Sequence, residues 1–281
     1  SEEEFPACFG VGGEIGIVRQ LAFELGGERG IERSRVIGIP GIDQRPALRC
    51  GIAAPAGDDD EQKERGEMFS LMARYFSNLS RAVFERDLSE KEWCILLTDA
   101  SGDIRGFSTM MLVRTVVDDR PVAAVYSGDT IVDREHWGES ILSRLWSRHA
   151  FDLASGVPEA PVYWFLLSSG YKTYRFLTTF FKEFYPTYER QTPPEAKRVM
   201  EALAHARFPG QFDPGAGVVY PENAAPLQFG VADVTDRRLA DPHVAFFVTA
   251  NPGHARGDEL VCLTELATEN LTPAGRRMLG P

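Results

Sequence analysis

The stretch Ile131–Leu145 reads IVDREHWGESILSRL, and its hydrophobic period changes partway along. Ile131 and Val132 end an apolar run that is typical of a buried strand. Beyond Gly138 the apolar residues recur at helical intervals, at Ile141, Leu142, Leu145, Trp146 and Leu153. The stretch therefore predicts a corner at which a strand passes directly into a helix over 138–154.

Three strands are predicted before this corner. Trp93–Thr98 is continuous and apolar, as in a strand buried on both faces. Turn residues after it lead into the long strand Ile104–Val117, and Asp118–Pro121 turns the chain into Val122–Val132. Two tight turns joining three strands predict an antiparallel meander. Upstream, the spacing of Met68, Met72, Tyr75, Leu79 and Val83 predicts one helix of about six turns over 62–87.

Alternating strand and helix patterns follow the corner. Residues 161–167 (PVYWFLL) predict a buried strand, and 171–184 predict a helix that Pro186 stops. A strand, a helix and a second strand imply one parallel step with a right-handed crossover. Residues 194–206 predict a further helix, and Val244–Ala250 with Glu259–Leu266 predict a closing hairpin.

These elements predict an α/β (α+β) protein with a mixed, mostly antiparallel central sheet flanked by helices. We assign all 281 residues to a single domain. Residues 1–60 form an N-terminal arm, 62–186 with 243–268 form the core, and 187–242 form a long insertion before the last hairpin. The insertion has too few apolar residues to build a core of its own.

The composition of the chain limits the classes of molecule that it is expected to bind. Thirty basic and 41 acidic residues give a net charge of −11, so the phosphates of nucleic acid would be repelled. There is no run of 18 apolar residues and the N-terminus is acidic, which predicts a cytoplasmic protein without a membrane partner. The four cysteines fit no zinc or redox spacing and the five histidines show no paired ligand spacing, so no metal site is predicted.

The order helix, three-stranded meander, helix, strand, helix, hairpin resembles the GNAT family of N-acyltransferases. The corner resembles that family's segment V-x-P-E-x-R-G-x-G-x-G, with Val132, Glu135, Gly138, Ile141 and Leu145 in register. The resemblance covers about 62–186 and 244–266. It implies a GNAT-like fold and the transfer of an acyl group from a pantetheine thioester to an amine. In the family, backbone N–H groups at this helix N-terminus bind the pyrophosphate of coenzyme A.

The loop that would hold this co-substrate is altered. The family's basic residue corresponds to Trp137, and two of its glycines correspond to Ser140 and Leu142. The resemblance implies that co-substrate binding involves Gly128, Thr130, Val132, Trp137, Gly138 and Ser140. Three alternatives stay open: acyl-CoA held in a modified way, a phosphopantetheine arm on an acyl carrier protein, or a fold that no longer uses a thioester. No permanently bound cofactor is expected.

Asp129 is the residue that we predict as general base. It is ionisable in a strand of otherwise apolar or small residues, so desolvation would raise its pKa toward neutrality. The alternative is a bulge or turn aspartate bonded to nearby backbone N–H groups. The resemblance also implies that the backbone of Gly128–Thr130 donates a hydrogen bond to the thioester carbonyl.

The position of the family's thiolate-protonating tyrosine is occupied here by Phe180, which has no proton to donate. Tyr171 and Tyr174 are the substitute candidates, with core packing as the alternative for both. The phenylalanines of this helix predict either ordinary packing or an apolar tunnel for an acyl chain. The residues expected to line the substrate pocket are Tyr126, Trp164, Ser168 and Phe180.

The sequence thus predicts an N-acyltransferase-like enzyme of small-molecule biosynthesis, which uses acyl-CoA or an acyl carrier protein as donor and a small amine as acceptor. A non-catalytic or repurposed protein of the same fold, binding a hydrophobic small molecule in the same cleft, is the alternative. The altered loop and the missing tyrosine favour that alternative.

Overall fold

The computed structural model describes residues 18–20, 35–37, 49–52, 59–137 and 140–280. The chain divides into two compact units. The first contains the described residues within 1–74, 80–111 and 128–146, and the second contains those within 75–79, 112–127 and 147–281. No helix within the described ranges is both long enough and apolar enough to cross a bilayer.

The first unit is a sheet with two helices. Its strands are β1 (Val18–Gln20), β2 (Arg35–Ile37), β3 (Arg49–Ile52), β4 (Trp93–Thr98), the first part of β5 (Ile104–Val117) and the last part of β6 (Arg120–Val132). Its helices are α1 (Asp59–Met72) and α2 (Arg81–Ser89), and α3 (Ile141–Ser155) begins in it. The strand order is β2-β1-β3-β4-β5-β6. β1 is parallel to β3, whereas β1–β2, β3–β4 and β4–β5 are antiparallel.

The second unit continues from the first part of β6 in the order β6-β7-β10-β9-β8. Its strands are β7 (Val162–Ser168), β8 (Phe212–Asp213), β9 (Val218–Val219) and β10 (Glu259–Glu265). Its helices are α4 (Tyr171–Phe180), α5 (Pro194–Arg207), α6 (Asp236–Leu239), α7 (Pro242–Ala250) and α8 (Pro273–Leu279). β6 and β7 are parallel and pair from Ala123 opposite Val162 to Ser127 opposite Leu166.

The prediction of a mixed, mostly antiparallel sheet flanked by helices is confirmed. β4 and β5 have the predicted bounds, and β6 and β7 form the predicted parallel step through α3. Asp118 and Asp119 have φ values of 51° and 60°, as a two-residue hairpin turn requires when its twist matches the strands. Residues 1–60, predicted as an arm, contain β1, β2 and β3 in their described part.

The prediction of one helix over 62–87 is wrong, because the chain forms α1 and α2 with a break between them. Asn78 adopts a left-handed φ of 59°, which a right-handed helix does not tolerate. The Ser80 hydroxyl then accepts a hydrogen bond from the Val83 N–H at 3.4 Å and caps α2. Apolar periodicity continues across the break, so the break is set by turn and cap residues. The helix predicted over 171–184 likewise ends early, at Phe180.

The predicted strand Val244–Ala250 is also wrong, because these residues belong to α7. The Asp241 carboxylate accepts a hydrogen bond from the His243 N–H at 2.9 Å, and Pro242 occupies the first turn. A short apolar run fits a buried strand and a buried helix equally well, so periodicity did not separate them. In place of a closing hairpin, β10 pairs with β7 and β9.

Two helical glycines should respond in opposite directions to alanine. A Cβ on Gly275 of α8 would stand 2.3 Å from the backbone oxygen of Phe180, whereas a Cβ on Gly66 of α1 would meet nothing within 4 Å. We expect Gly275→Ala to lower the free energy of unfolding by about 1–3 kcal/mol through overpacking. We expect Gly66→Ala to raise it by about 0.5–1 kcal/mol through helix propensity. Urea unfolding measures both, and a shift in the same direction would contradict this packing.

Candidate functional site

β6 is irregular where the sequence predicts the general base. A Cβ on Gly128 would lie 2.6 Å from Thr109 Oγ1 of β5, so these two residues share a face of the sheet. Ser108, the neighbour of Thr109, points to the opposite face, and its hydroxyl bonds to Thr130 Oγ1 at 2.8 Å. In a regular strand Gly128 and Thr130 would share one face. An extra residue therefore lies between them, and Asp129 is part of a β-bulge.

The last residues of β6 show the same shift in register against β5. A Cβ on Gly106 of β5 would lie 3.3 Å from the Val132 Cα, which continues the shifted register beyond Thr130. A bulge leaves its extra residue out of the ladder and redirects its side chain, and bulges often occur next to active sites. Thr130 and Val132, both predicted near the co-substrate, are half-buried and buried respectively.

Asp129 is a half-buried residue, and the pKa of its carboxyl is raised from 3.8 to about 6. Burial is the largest cause, and the Asp87 carboxylate adds to it, while the Lys91 ammonium acts in the opposite direction. The direction is the one that the sequence predicts. A carboxylate with a pKa just below neutrality is largely ionised at pH 7, so it is able to accept a proton there.

Lys91 is the residue of this site that the sequence did not reveal. It is 1% exposed, and its ammonium donates hydrogen bonds to the Asp87 carboxylate and, at 3.1 Å, to the Asp87 carbonyl oxygen. A Cβ on Gly128 would lie 2.6 Å from Lys91 Cε and 3.3 Å from Nζ. Lysine is almost never buried unless it is paired, so the sequence alone gives no sign that Lys91 is buried.

Two buried groups on β4 and β5 complete this side of the bulge. Cys94 pairs with Thr109 across the two strands. Burial raises the pKa of the Cys94 thiol, and the carboxylates of Glu64 and Asp129 raise it further, so Cys94 is a neutral thiol. Thr109 Oγ1 is buried, and among the described residues it has no hydrogen-bond partner.

The corner after β6 is organised by Trp137. The Trp137 indole N–H donates to the Val132 carbonyl at 2.9 Å, and the Arg134 guanidinium lies 4.9 Å from the indole ring centroid. Arg134 therefore provides a cation close to the position where the resemblance expects a basic residue. The Ser140 carbonyl accepts from the Ser143 hydroxyl at 2.8 Å in the first turn of α3. Gly138 lies outside the described residues.

The two candidate tyrosines belong to the second unit, whereas Asp129 belongs to the first. The Tyr174 hydroxyl donates a hydrogen bond to the Pro186 carbonyl at 2.8 Å, and burial raises its pKa. Its ring lies about 6 Å from the rings of Phe184, Phe246 and Phe247. Tyr171 is buried as well. These contacts favour the core-packing alternative for Tyr174.

The residues predicted to line a substrate pocket also lie in the second unit, and three of them are buried. The Tyr126 ring centroid lies 5.8 Å from that of Phe165 and 5.8 Å from that of Phe208. The Trp164 indole N–H donates to the Ser127 hydroxyl at 2.9 Å, which joins β7 to β6.

Ser168 and Phe180, the other two, lie at the ends of β7 and α4. Ser168 is fully buried, and its carbonyl accepts from the Asn251 amide at 3.4 Å. Phe180 is half-buried, with its ring centroid 5.7 Å from that of Phe176. Tyr126 and Trp164 have the ring contacts of packed side chains and Ser168 is fully buried, so within the second unit these three favour a core role over a pocket wall.

A surface cleft of about 420 Å³, which the sequence did not predict, lies in the second unit. Its lining includes Glu183, Glu195, Glu265 and Glu269 beside Lys182, so its charge favours a cation over an anion. In the part of the chain that the structure describes, no group of three or more His, Cys, Asp or Glu side chains is arranged to hold a metal ion.

Comparison with known proteins gives one distant likeness. No family model matches the chain, and no curated protein matches it. One solved structure, described as a GCN5-related glucosamine N-acetyltransferase region in the fungal multi-domain GH3 beta-N-acetylglucosaminidase, is 15% identical with a TM-score of 0.31. The match covers 65% of this chain and only 24% of that protein's length. A likeness this weak identifies neither the fold nor the activity of this chain.

Proposed function

We propose that this chain is an N-acyltransferase-like enzyme, in which Asp129 accepts the proton of an attacking amine. The observation that carries the proposal is the Asp129 carboxyl in the β6 bulge, with its pKa raised by burial to about 6. A general base is most effective when its pKa lies near the working pH, because it is then ionised yet still basic. Asp129 meets both conditions at neutral pH.

The bulge also supports a second requirement of acyl transfer, which is stabilisation of the negative charge that develops on the carbonyl oxygen. A carbonyl under attack develops negative charge, which backbone N–H groups stabilise when they already point at the oxygen. The extra residue of a bulge is out of the ladder, so its N–H is free of the regular pairing. Gly128 is the residue next to it. The donor carbonyl would bind there, beside Asp129.

We infer that the donor is a pantetheine thioester, carried by coenzyme A or by an acyl carrier protein. The corner from Val132 to Ser140 supports this, because the N-terminus of α3 and the Arg134 guanidinium both favour a phosphate. The co-substrate would bind transiently, since no permanent cofactor is proposed. The amine acceptor is a small molecule, and a cytoplasmic location without nucleic-acid or membrane partners stays a prediction.

The second candidate is a protein of the same fold that binds a hydrophobic small molecule without turnover. Two observations favour it: Phe180 stands where the resemblance expects an acid, and the Tyr174 hydroxyl is bonded to Pro186. Under this alternative the Asp129 carboxyl would orient a ligand rather than take its proton.

Calorimetric titration with acyl-CoAs of different chain lengths and with free phosphopantetheine tests the proposal. We expect heat of binding and a raised melting temperature with at least one of them, because a ligand that binds only the folded protein stabilises it. Release of free thiol on addition of a panel of primary amines would then establish transfer. Binding without thiol release supports the second candidate, and no binding to any donor overturns the first.

A further inference from the structure

Lys91 is held in an unusual place for a charged side chain. It follows the C-terminus of α2, is 1% exposed, and its ammonium donates to both the side chain and the carbonyl of Asp87. That carbonyl belongs to the last turn of the helix, whose dipole favours a cation. A buried ammonium is costly unless it is paired, and Asp87 provides the pairing.

Because Gly128 has no side chain, the Lys91 ammonium is able to lie beside the bulge. A Cβ at position 128 would overlap Lys91 Cε at 2.6 Å and crowd Nζ at 3.3 Å. Any side chain there would have to displace the lysine. The Lys91 chain end therefore lies against the backbone of the residue that precedes Asp129, on the face of β6 to which Thr109 also points.

Several titratable and charged groups surround this face of the bulge. Asp87 and Lys91, at the end of α2 and after it, act on the Asp129 carboxyl, whereas Glu64 and Arg65 of α1 act on the Cys94 thiol of β4. The thiol of Cys94 is neutral, and Glu64 and Arg65 carry opposite charges. The Asp87 carboxylate favours the protonated form of Asp129, and the Lys91 ammonium favours the ionised form.

We propose that Lys91 and Asp87 are a positioning pair for Asp129: Asp87 holds the Lys91 ammonium against the backbone of Gly128, and the ammonium thereby fixes the Gly128–Asp129 bulge. Both residues act through Asp129, and neither is proposed to touch a substrate. The role of Asp129 as a base rests on the proposed function, whereas the effect of the pair on Asp129 requires no substrate.

Carboxyl-carbon NMR of protein labelled at aspartate tests the pair, with the Asp129 resonance assigned by its loss in Asp129→Asn. We expect Lys91→Met to raise the titration midpoint of Asp129 and Asp87→Asn to lower it, each by about one pH unit. A merely structural role would not move the two midpoints in opposite directions. If thiol release is observed, the acidic limb of kcat/KM should shift with the same signs.

Two variants serve as controls. Lys91→Arg keeps the charge and should leave the midpoint close to that of the wild type. Lys197→Met removes the ammonium of an exposed i,i+4 pair with Glu201, 3.7 Å apart in the second unit, and should change nothing. Unmoved midpoints in Lys91→Met and Asp87→Asn, or shifts in the same direction, overturn the pairing.

The titration also separates this inference from the proposed function. Should Lys91→Met fail to fold, Asp87→Asn is nearly isosteric, and the sign of its shift alone decides. If the Asp129 midpoints shift in opposite directions but the protein never releases thiol, the proposed acyltransferase activity is wrong and the positioning pair is supported. Turnover with unmoved midpoints would do the reverse.

Discussion

Asp129→Asn is expected to lower kcat by about 10²–10⁴-fold, because an asparagine amide does not accept the proton of an attacking amine. The Kd for the thioester donor should stay unchanged, since the amide has the same shape and the proposed donor contacts are made by the backbone and by the N-terminus of α3. Thiol release measures kcat, and calorimetry measures Kd. Full turnover in the variant would remove Asp129 from the mechanism, and loss of donor binding would assign it to the ligand site instead.

The free energy of unfolding of Asp129→Asn, measured at several pH values, provides the control that this variant is folded. The pKa of Asp129 is raised from 3.8 to about 6, so the folded protein binds its proton more tightly than the unfolded chain does. The stabilisation of the folded state by this tighter proton binding is fully present below the pKa of the unfolded chain, and it is lost as pH rises through about 6. Above that pH the wild type keeps a half-buried carboxylate, which asparagine does not carry. Asp129→Asn should therefore gain stability relative to wild type between acidic and neutral pH, by up to about 3 kcal/mol. A constant difference would contradict the raised pKa.

Trp164→Ala is expected to lower the free energy of unfolding by about 3–5 kcal/mol, the usual cost of removing a large buried aromatic ring. Trp164 is 6% exposed, and it lies on the strand between β6 and β10. Its loss leaves a cavity beside Phe181, whose ring centroid is 5.8 Å away, and removes the donor to Ser127. Urea unfolding followed by far-UV circular dichroism measures the change.

Phe229→Ala is the matched control in the same unit. Phe229 is 94% exposed, so its truncation should change the free energy of unfolding by no more than about 0.5 kcal/mol. The pair also decides between the two roles of Trp164. A pocket wall would show a small loss of stability and a large loss of ligand affinity, whereas a core residue shows the opposite. Similar stabilities of the two variants would favour the pocket.

The sequence predicted best where an apolar run is bounded by turn residues. β4 and β5 start and end where expected, because the turn residues between them fit a strand poorly. α5 was expected over 194–206 and is observed at Pro194–Arg207. The run Val244–Ala250 was predicted as a strand, although its length suits a strand and a helix equally well. These residues form a helix, and Asp241 caps its N-terminus.

Within the candidate site the sequence pointed to Asp129 and missed its surroundings. An ionisable residue in a strand of small and apolar residues stands out from its neighbours in the chain, so Asp129 was predicted together with the direction of its pKa. Lys91 stands among glutamates in a segment that looks solvated, and its burial depends on a strand far along the chain. The sequence also did not indicate that the Tyr174 hydroxyl is bonded to the Pro186 carbonyl.

The sequence by itself determined most of the strands and helices and where many of the turns lie, because these follow from local propensity and hydrophobic period. Only the tertiary structure decided that β6 has a bulge at Asp129 and that Lys91 is buried against Gly128. The reason is that strand register and the burial of a charge depend on which distant residues meet across the sheet. The pattern of one strand does not carry that information.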